Sequence, residues 1–357
     1  MSACSPVRGV VRPAGAALGR LVAGARWGLA IAALGAVVLL AVGQGRYHVP
    51  TDEAIRILLS GLVPIETTWS PSAERVVTLL RLPRVLSAAL AGAALGGTGC
   101  VLQGIFRNPL VGPQMVGVTA GASFGGALAI LMLGSALAIV GLAFVGGFAA
   151  IALVYLVSRA EMRTPIFTLV LAGIVVSAGF SALVSLLKYV ADPNNALPAI
   201  VYWLMGSFAM ATYPKLGILA ASTAVGLGLV SGLWFRINVL SLGEEDAAAV
   251  GLAVERTRWL VLAAVALAVA GVVAVAGAVG WVGLIVPHVA RMLVGPNHRV
   301  LIPASALVGA GYLVAIDALA RTVTQVEIPV GVLTALVGAP VFVVLLRRLS
   351  TRGWGRG

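Results

Sequence analysis

The hydrophobic pattern of this chain consists of long apolar runs broken by short polar, glycine or proline stretches, with no strand-like alternation. Apolar windows recur near 27–43, 85–105, 116–134, 137–157, 166–187, 215–234, 259–279, 281–294, 301–319 and 330–346. An α-helix rises about 1.5 Å per residue, so windows of this kind predict membrane-spanning helices, ten in all. Barrel strands would alternate polar and apolar residues instead. The apolar block 116–157 is too long for one helix and must fold back, around Gly134 and Ser135. The eighth window is short, and Pro287 and Arg291 interrupt it.

Composition agrees with the pattern. Of 357 residues, 60% are hydrophobic and only 10% charged, and the mean hydropathy is +1.06, so the chain is an integral membrane protein. Its 44 glycines sit in an Ala/Leu/Val-rich background that lets helices approach closely in lipid. The net charge of +12 forms no continuous basic face, which argues against nucleic acid and for topology. An even number of spans puts both termini on one side. Eight of the 24 Lys and Arg residues (Arg46, Arg56, Arg75, Arg81, Arg84, Lys188, Lys215 and Arg321) fall in segments assigned outside, and the other 16 fall inside. The positive-inside rule therefore places both termini in the cytosol. A basic tail, 1–26, precedes the transmembrane region, 27–346, and a second basic tail, 347–357, follows it. Arg8, Arg12, Arg20 and Arg26 precede the first apolar run without any acid, and the run is read as an uncleaved helix. Cys4 and Cys100 imply no disulfide framework, and Cys100 is read as a free buried thiol.

Several local features could carry function. Arg81 and Arg84 stand at the threshold of the second span and Arg321 near the outer end of the ninth, against the charge bias. They either snorkel to headgroups or form a docking ring for an acidic partner, since guanidinium pairs bidentately with carboxylate. In the fifth span Gly173, Ser177, Ser181 and Ser185 recur every four residues and share one helix face. Such a stripe means tight helix packing or a smooth, weakly polar pathway wall. The loop RINVLSLGEEDAAAVGLAVERTRW places Ser241 three residues before Glu244, a capping-box spacing. Glu245 and Asp246 add charge to the first turn, and Gly251 could end the helix. This acidic helix on a basic face is either a linker or a protrusion that docks into a partner.

The sequence contains no phosphate-binding loop, and its only lysines are Lys188 and Lys215, so this chain does not hydrolyse ATP by itself. An ion-coupled carrier would keep ionisable groups inside its spans. The candidates are Asp317, His288 and Arg291, all near span ends or a helix break. His288 follows a proline and is read as structural, while His48 and His298 are placed in loops. No metal site or catalytic constellation is assigned.

Five segments in order, RLPRVLSAALAGAALGGTGCVLQGIFRNPLVGPQMVGVTAGASFG (81–125), LAGIVVSAGFSALVSLL (171–187), VLSLGEEDAAAVGL (239–252), VGLIVPHVARMLVGPNHRVLIPASALVGA (282–310) and EIPVGVLTALVGAPVFVVLL (327–346), closely resemble permease subunits of bacterial ABC importers for vitamin B12, ferric siderophores and haem, the FecCD type. The resemblance implies an all-α, type II importer permease of about ten transmembrane helices in the bacterial inner membrane. It also implies a second permease copy, two cytosolic ATPases holding ATP and Mg, and a periplasmic binding protein, with no cofactor on this chain. It assigns Arg81, Arg84 and Arg321, exposed at the outer face, to carboxylates of the binding protein. It gives the cytosolic gate to Asn108, Pro109 and Leu110, with a second element at Thr164, Pro165 and Ile166, and makes the fifth-span stripe a wall of the cavity between protomers. Ser241, Gly243, Glu244, Glu245, Asp246 and Gly251, within a coupling region 238–256, meet the ATPase. Haem or another iron chelate is the expected cargo, cobalamin the alternative, and an ion-coupled secondary transporter the rival.

Overall fold

The computed structural model describes residues 14–61, 63–158 and 166–353, and all regular structure among them is helical. α1 (Ala14–Gly43) starts right after Pro13 and runs through the basic stretch expected to be a tail. Arginine and alanine are good helix formers, and nothing in 14–26 interrupts the helix. α2 (Thr51–Ser60) is a short amphipathic helix that buries Ala54 and Ile57, three apart on one face. It is too short and too charged for any apolar window to find.

The second span departs most from expectation. α3 (Pro71–Arg75) opens with a Ser70 N-cap whose hydroxyl accepts the Ala73 N–H at 3.1 Å. A π-helical turn (Val76–Arg81) carries it without a break into α4 (Leu82–Ile105). The physical cause of the π-turn is Pro83, which has no N–H for the carbonyl one turn back and whose ring crowds it; widening the preceding turn relieves both. The rod Pro71–Ile105 is thus 35 residues long, and Arg81 and Arg84 lie inside it instead of at its end.

A 3-10 turn (Pro113–Val116) and Gly117, at φ +88°, lead into α5 (Val118–Met132). The fold-back falls where the sequence places it: Gly134 adopts φ +63°, and the Ser135 hydroxyl accepts the Ala138 N–H at 3.1 Å to start α6 (Ala136–Ser158). α7 (Ile166–Val190), α8 (Ala196–Leu204), α9 (Tyr213–Gly232), α10 (Trp234–Leu242) and α11 (Glu244–Ala249) follow. α12 (Val254–Ala276), α13 (Val282–Val294), α14 (His298–Thr322) and α15 (Val330–Gly353) complete the chain. α15 continues through part of the second expected tail. Among the described residues seven helices are long and apolar enough to cross a membrane, and three shorter apolar helices, Val118–Met132, Val282–Val294 and Val330–Val344, correspond to the remaining windows.

Helices α4 and α12 form the centre, with 78% of the most apolar window of each rod buried, whereas α1 is peripheral at 11%. Glycine makes the central packing possible. A Cβ on Gly92 would overlap the Gly309 carbonyl, and one on Gly309 would overlap that of Gly92, so α4 and α14 touch backbone to backbone. Gly121 and Gly146 do the same for α5 and α6.

Candidate functional site

At one end of the bundle, the three arginines of the expected docking ring are 5% (Arg81), 7% (Arg84) and 5% (Arg321) exposed, which corrects the expectation that they stand free at the rim. Arg84 Nε donates to Asp317 Oδ1 at 3.0 Å, and its two terminal nitrogens hold the Glu327 carboxylate bidentately at 3.0 Å each. Asp317, fully buried, also pairs with Arg321 Nε at 3.1 Å. Arg81 and Arg321 turn to the C-terminus of α1. Arg81 donates to the carbonyls of Val42 and Gly43, both at 3.0 Å, and to that of Tyr47. Arg321 donates to Ala41 O at 3.0 Å and Gln44 O at 2.9 Å. The last carbonyls of a helix lack intrahelical donors and carry the negative end of its dipole, so two guanidinium groups complete α1 from outside. Carrying the second span on to Pro71 places Arg81 and Arg84 in the helix interior, where the acids Asp317 and Glu327 partner Arg84 and carbonyls at the end of α1 partner Arg81. The same geometry commits Asp317 to two arginines.

A groove of about 440 Å³ runs between α7 and α5, lined by Gln114, Thr119, Ser123, Ser177, Ser181, Ser185 and Lys188 with a few apolar neighbours. Its wall contains three members of the fifth-span stripe. The fourth, Gly173, is a packing position, because a Cβ there would overlap the Met115 carbonyl. Ser177 and Ser185 donate their hydroxyls back to Gly173 O (2.7 Å) and Ser181 O (3.0 Å), the usual local bond of a helical serine. Sequence reading missed Gln114, Thr119 and Ser123. Thr119 and Ser123 repeat the four-residue spacing on the opposite wall, a signal visible in VGVTAGASFG. Gln114 lies on the Pro113–Val116 turn and also lines a 100 Å³ cavity beside Gly280 and Trp281. This turn therefore separates the groove from the 277–281 segment, where Gly277 and Trp281 both take positive φ.

In the N-P-L loop the Asn108 Oδ1 accepts the Leu110 N–H at 2.9 Å, and Asn108 N–H donates to Gln103 O at 3.2 Å. Asn108, Pro109 and Leu110 thus form a closed turn, preceded by Arg107 at φ +50°. Thr164 and Pro165 lie outside the described residues, while Ile166 opens α7, half-buried against the core. Arg291 donates to Gln103 Oε1 at 3.1 Å, and Gln103 in turn donates to Leu284 O at 3.1 Å, tying α13 to α4. His298, read as a loop residue, instead opens α14, with its Nδ1 2.7 Å from Asn238 Oδ1.

The acidic helix is present, but its expected capping box is not. α10 extends through Leu242, so Ser241 lies within it and donates to Asn238 O at 2.6 Å. Gly243, at φ +156° and ψ +157°, makes the corner that starts α11, a conformation for which glycine is suited. Glu244 reaches Arg258 on α12 at 2.5 Å instead of the helix start, and Glu255 joins Arg258 at 3.3 Å. The helix ends as expected at Gly251, φ +80°. Leu252 N–H bonds to Ala247 O and Gly251 N–H to Ala248 O, a Schellman closure. Leu242 and Val250 are about 70% exposed, and Glu245 and Asp246 are exposed beside them. Cys100 is a free, buried thiol.

A bundle of apolar helices around a polar groove, with a short acidic helix held out at one end, defines a polytopic membrane permease. Residues 32–348 match the model of the FecCD transport family. The chain belongs to that family, and it is an ABC importer permease. It is 43% identical over 315 residues to the molybdate import system permease protein of Haemophilus influenzae, covering 88% of this chain and 93% of that one. It is 38% identical to the cobalamin import system permease protein of Halobacterium salinarum, covering 90% and 89%. Among solved structures it is similar to one described as an inward-facing conformation of a metal-chelate type ABC transporter, with TM-score 0.80, 41% identity and coverage of 89% and 97%. The expected family and all-α type II fold are thereby shown.

Proposed function

We propose that cargo crosses along the groove between α5 and α7, with the Pro113–Val116 turn and the Asn108–Leu110 loop forming the constriction at its end. In this reading two copies of the chain face each other across the groove in the inner membrane, with both termini in the cytosol. A periplasmic binding protein delivers cargo at the end marked by Arg84, and two cytosolic ATPases holding ATP and Mg engage α11. The observation that carries the coupling role is the exposed set Leu242, Glu245, Asp246 and Val250 around α11, a helix pinned by Glu244 to buried Arg258. A rigid protrusion transmits motion, whereas a solvated linker would absorb it.

The proposed cargo is a metal compound. Haem or another iron chelate is the cargo favoured by the sequence resemblance, and cobalamin is the alternative. The relative named for molybdate widens the range to metal oxyanions. The test is reconstitution of this chain with its ATPase and binding protein in proteoliposomes. ATP-dependent uptake that needs no ion gradient supports the reading, and uptake by this chain alone under a proton or sodium gradient would sink it.

A further inference from the structure

The groove also has a charge. Lys188 lies one turn beyond Ser185 on the same face of α7 and lines the groove together with the hydroxyls. Its ammonium makes no ion pair among the described residues, and no carboxylate lines the groove. The nearest acid in sequence, Asp192, is engaged elsewhere, accepting the Asn194 N–H at 3.2 Å and the Asn195 side-chain amide at 2.8 Å. The opposite wall includes Thr119 and Ala120, in the first turn of the 15-residue helix α5. That turn presents the positive end of the helix dipole. Ser123, 8% exposed, lines the groove with a hydroxyl that has no hydrogen-bond partner among the described residues. The hydroxyls of Thr119 and Ser181 and the side-chain amide of Gln114 are likewise unpaired among the described residues.

One positive charge, one helix N-terminus and four neutral donors thus line a space with no carboxylate among the described residues. We infer that this groove selects anions and that the cargo, given the pathway reading above, is an oxygen-rich anion. That chemistry is shared by a compact metal oxyanion and an anionic metal chelate, and is absent from a neutral or cationic corrinoid. Neutral donors hold successive oxygens without trapping them, which suits a passage that must release what it binds.

The test reads the potential in the groove without knowing the cargo. Ser181→Cys is introduced into a Cys4→Ser, Cys100→Ala background of the full importer and treated with anionic and cationic methanethiosulfonates of similar size. Relative to a free thiol, the anionic reagent should be favoured about tenfold, the lower range of charge focusing in a narrow site. Adding Lys188→Gln should remove most of that preference and Lys188→Arg should keep it. A preference for the cationic reagent, or one that Lys188→Gln leaves unchanged, overturns the inference while leaving the pathway reading intact. A thiol unreactive to both reagents overturns the pathway reading and the inference with it. In proteoliposomes with the ATPase and binding protein, molybdate uptake identifies the oxyanion and uptake of a ferric tris-catecholate identifies the chelate. Uptake of cyanocobalamin alone overturns the anion assignment.

Discussion

Arg84 and Asp317 lie 233 residues apart in sequence and 3.0 Å apart in the fold, joining the second and ninth spans through a bond that neither end of the chain could form alone. Breaking such a buried pair from one side leaves an uncompensated charge, which costs about 3–5 kcal/mol. Asp317→Ala should therefore lower the thermal stability of the detergent-solubilised protein markedly. Arg84→Ala and Asp317→Ala combined should cost less than the sum of the two single changes, as coupled partners do. Strict additivity in a thermal-shift series would show that the pair is not coupled.

Arg81 and Arg321 predict a separate effect on α1. That helix is mostly exposed, and its last carbonyls receive both guanidinium groups. Each hydrogen bond from a charged donor contributes about 1.5–3 kcal/mol, so Arg81→Ala should loosen the C-terminal turn of α1 without unfolding the central bundle. Hydrogen exchange should then rise in 38–50 and stay unchanged in α12. Unchanged protection at 38–50 would refute the capping role.

Contact between the backbones of α4 and α14 gives a third expectation. Gly92→Val has no space for its side chain, because even a Cβ meets the Gly309 carbonyl. The helices would have to separate, and loss of folded protein by size-exclusion chromatography is the expected outcome. Gly228→Ala, where a Cβ meets nothing within 4 Å, should fold normally and serves as the control.

For α11 the neighbouring acids should behave differently. Glu244→Ala removes one of the two acids that pair with buried Arg258 and should reduce stability. Glu245→Ala with Asp246→Ala alters only exposed positions, and should leave stability within about 0.5 kcal/mol of the parent while uncoupling ATP hydrolysis from uptake. Normal coupled uptake by the double variant would count against the docking role of this face.

The corrections share a cause. Charges at the edge of an apolar window suggest an exposed helix end, but Arg81 and Arg84 are helix-interior residues whose partners come from α1, α14 and the segment holding Glu327. Ser241 and Glu244 have capping-box spacing, yet α10 runs past Ser241 and Arg258 claims Glu244. Both patterns are local, and a partner from elsewhere in the chain outcompeted the local one. The groove was half legible: the serine stripe on α7 stood out by its period, whereas Gln114 lies on an isolated turn with no period to mark it.

The sequence alone determined the ten apolar helices, the fold-back at Gly134, the helix stop at Gly251 and the family, because apolar length, glycine conformational freedom and ordered motifs are properties of contiguous residues. Only the tertiary structure decided that three arginines are internal, that Asp317 is engaged, and that Lys188 shares a wall with Ser181 across from Thr119 and Ser123. Burial, ion pairing and the lining of a cavity depend on which distant segments meet, and in a chain with this uniform apolar alphabet many pairings of helices satisfy the same local pattern.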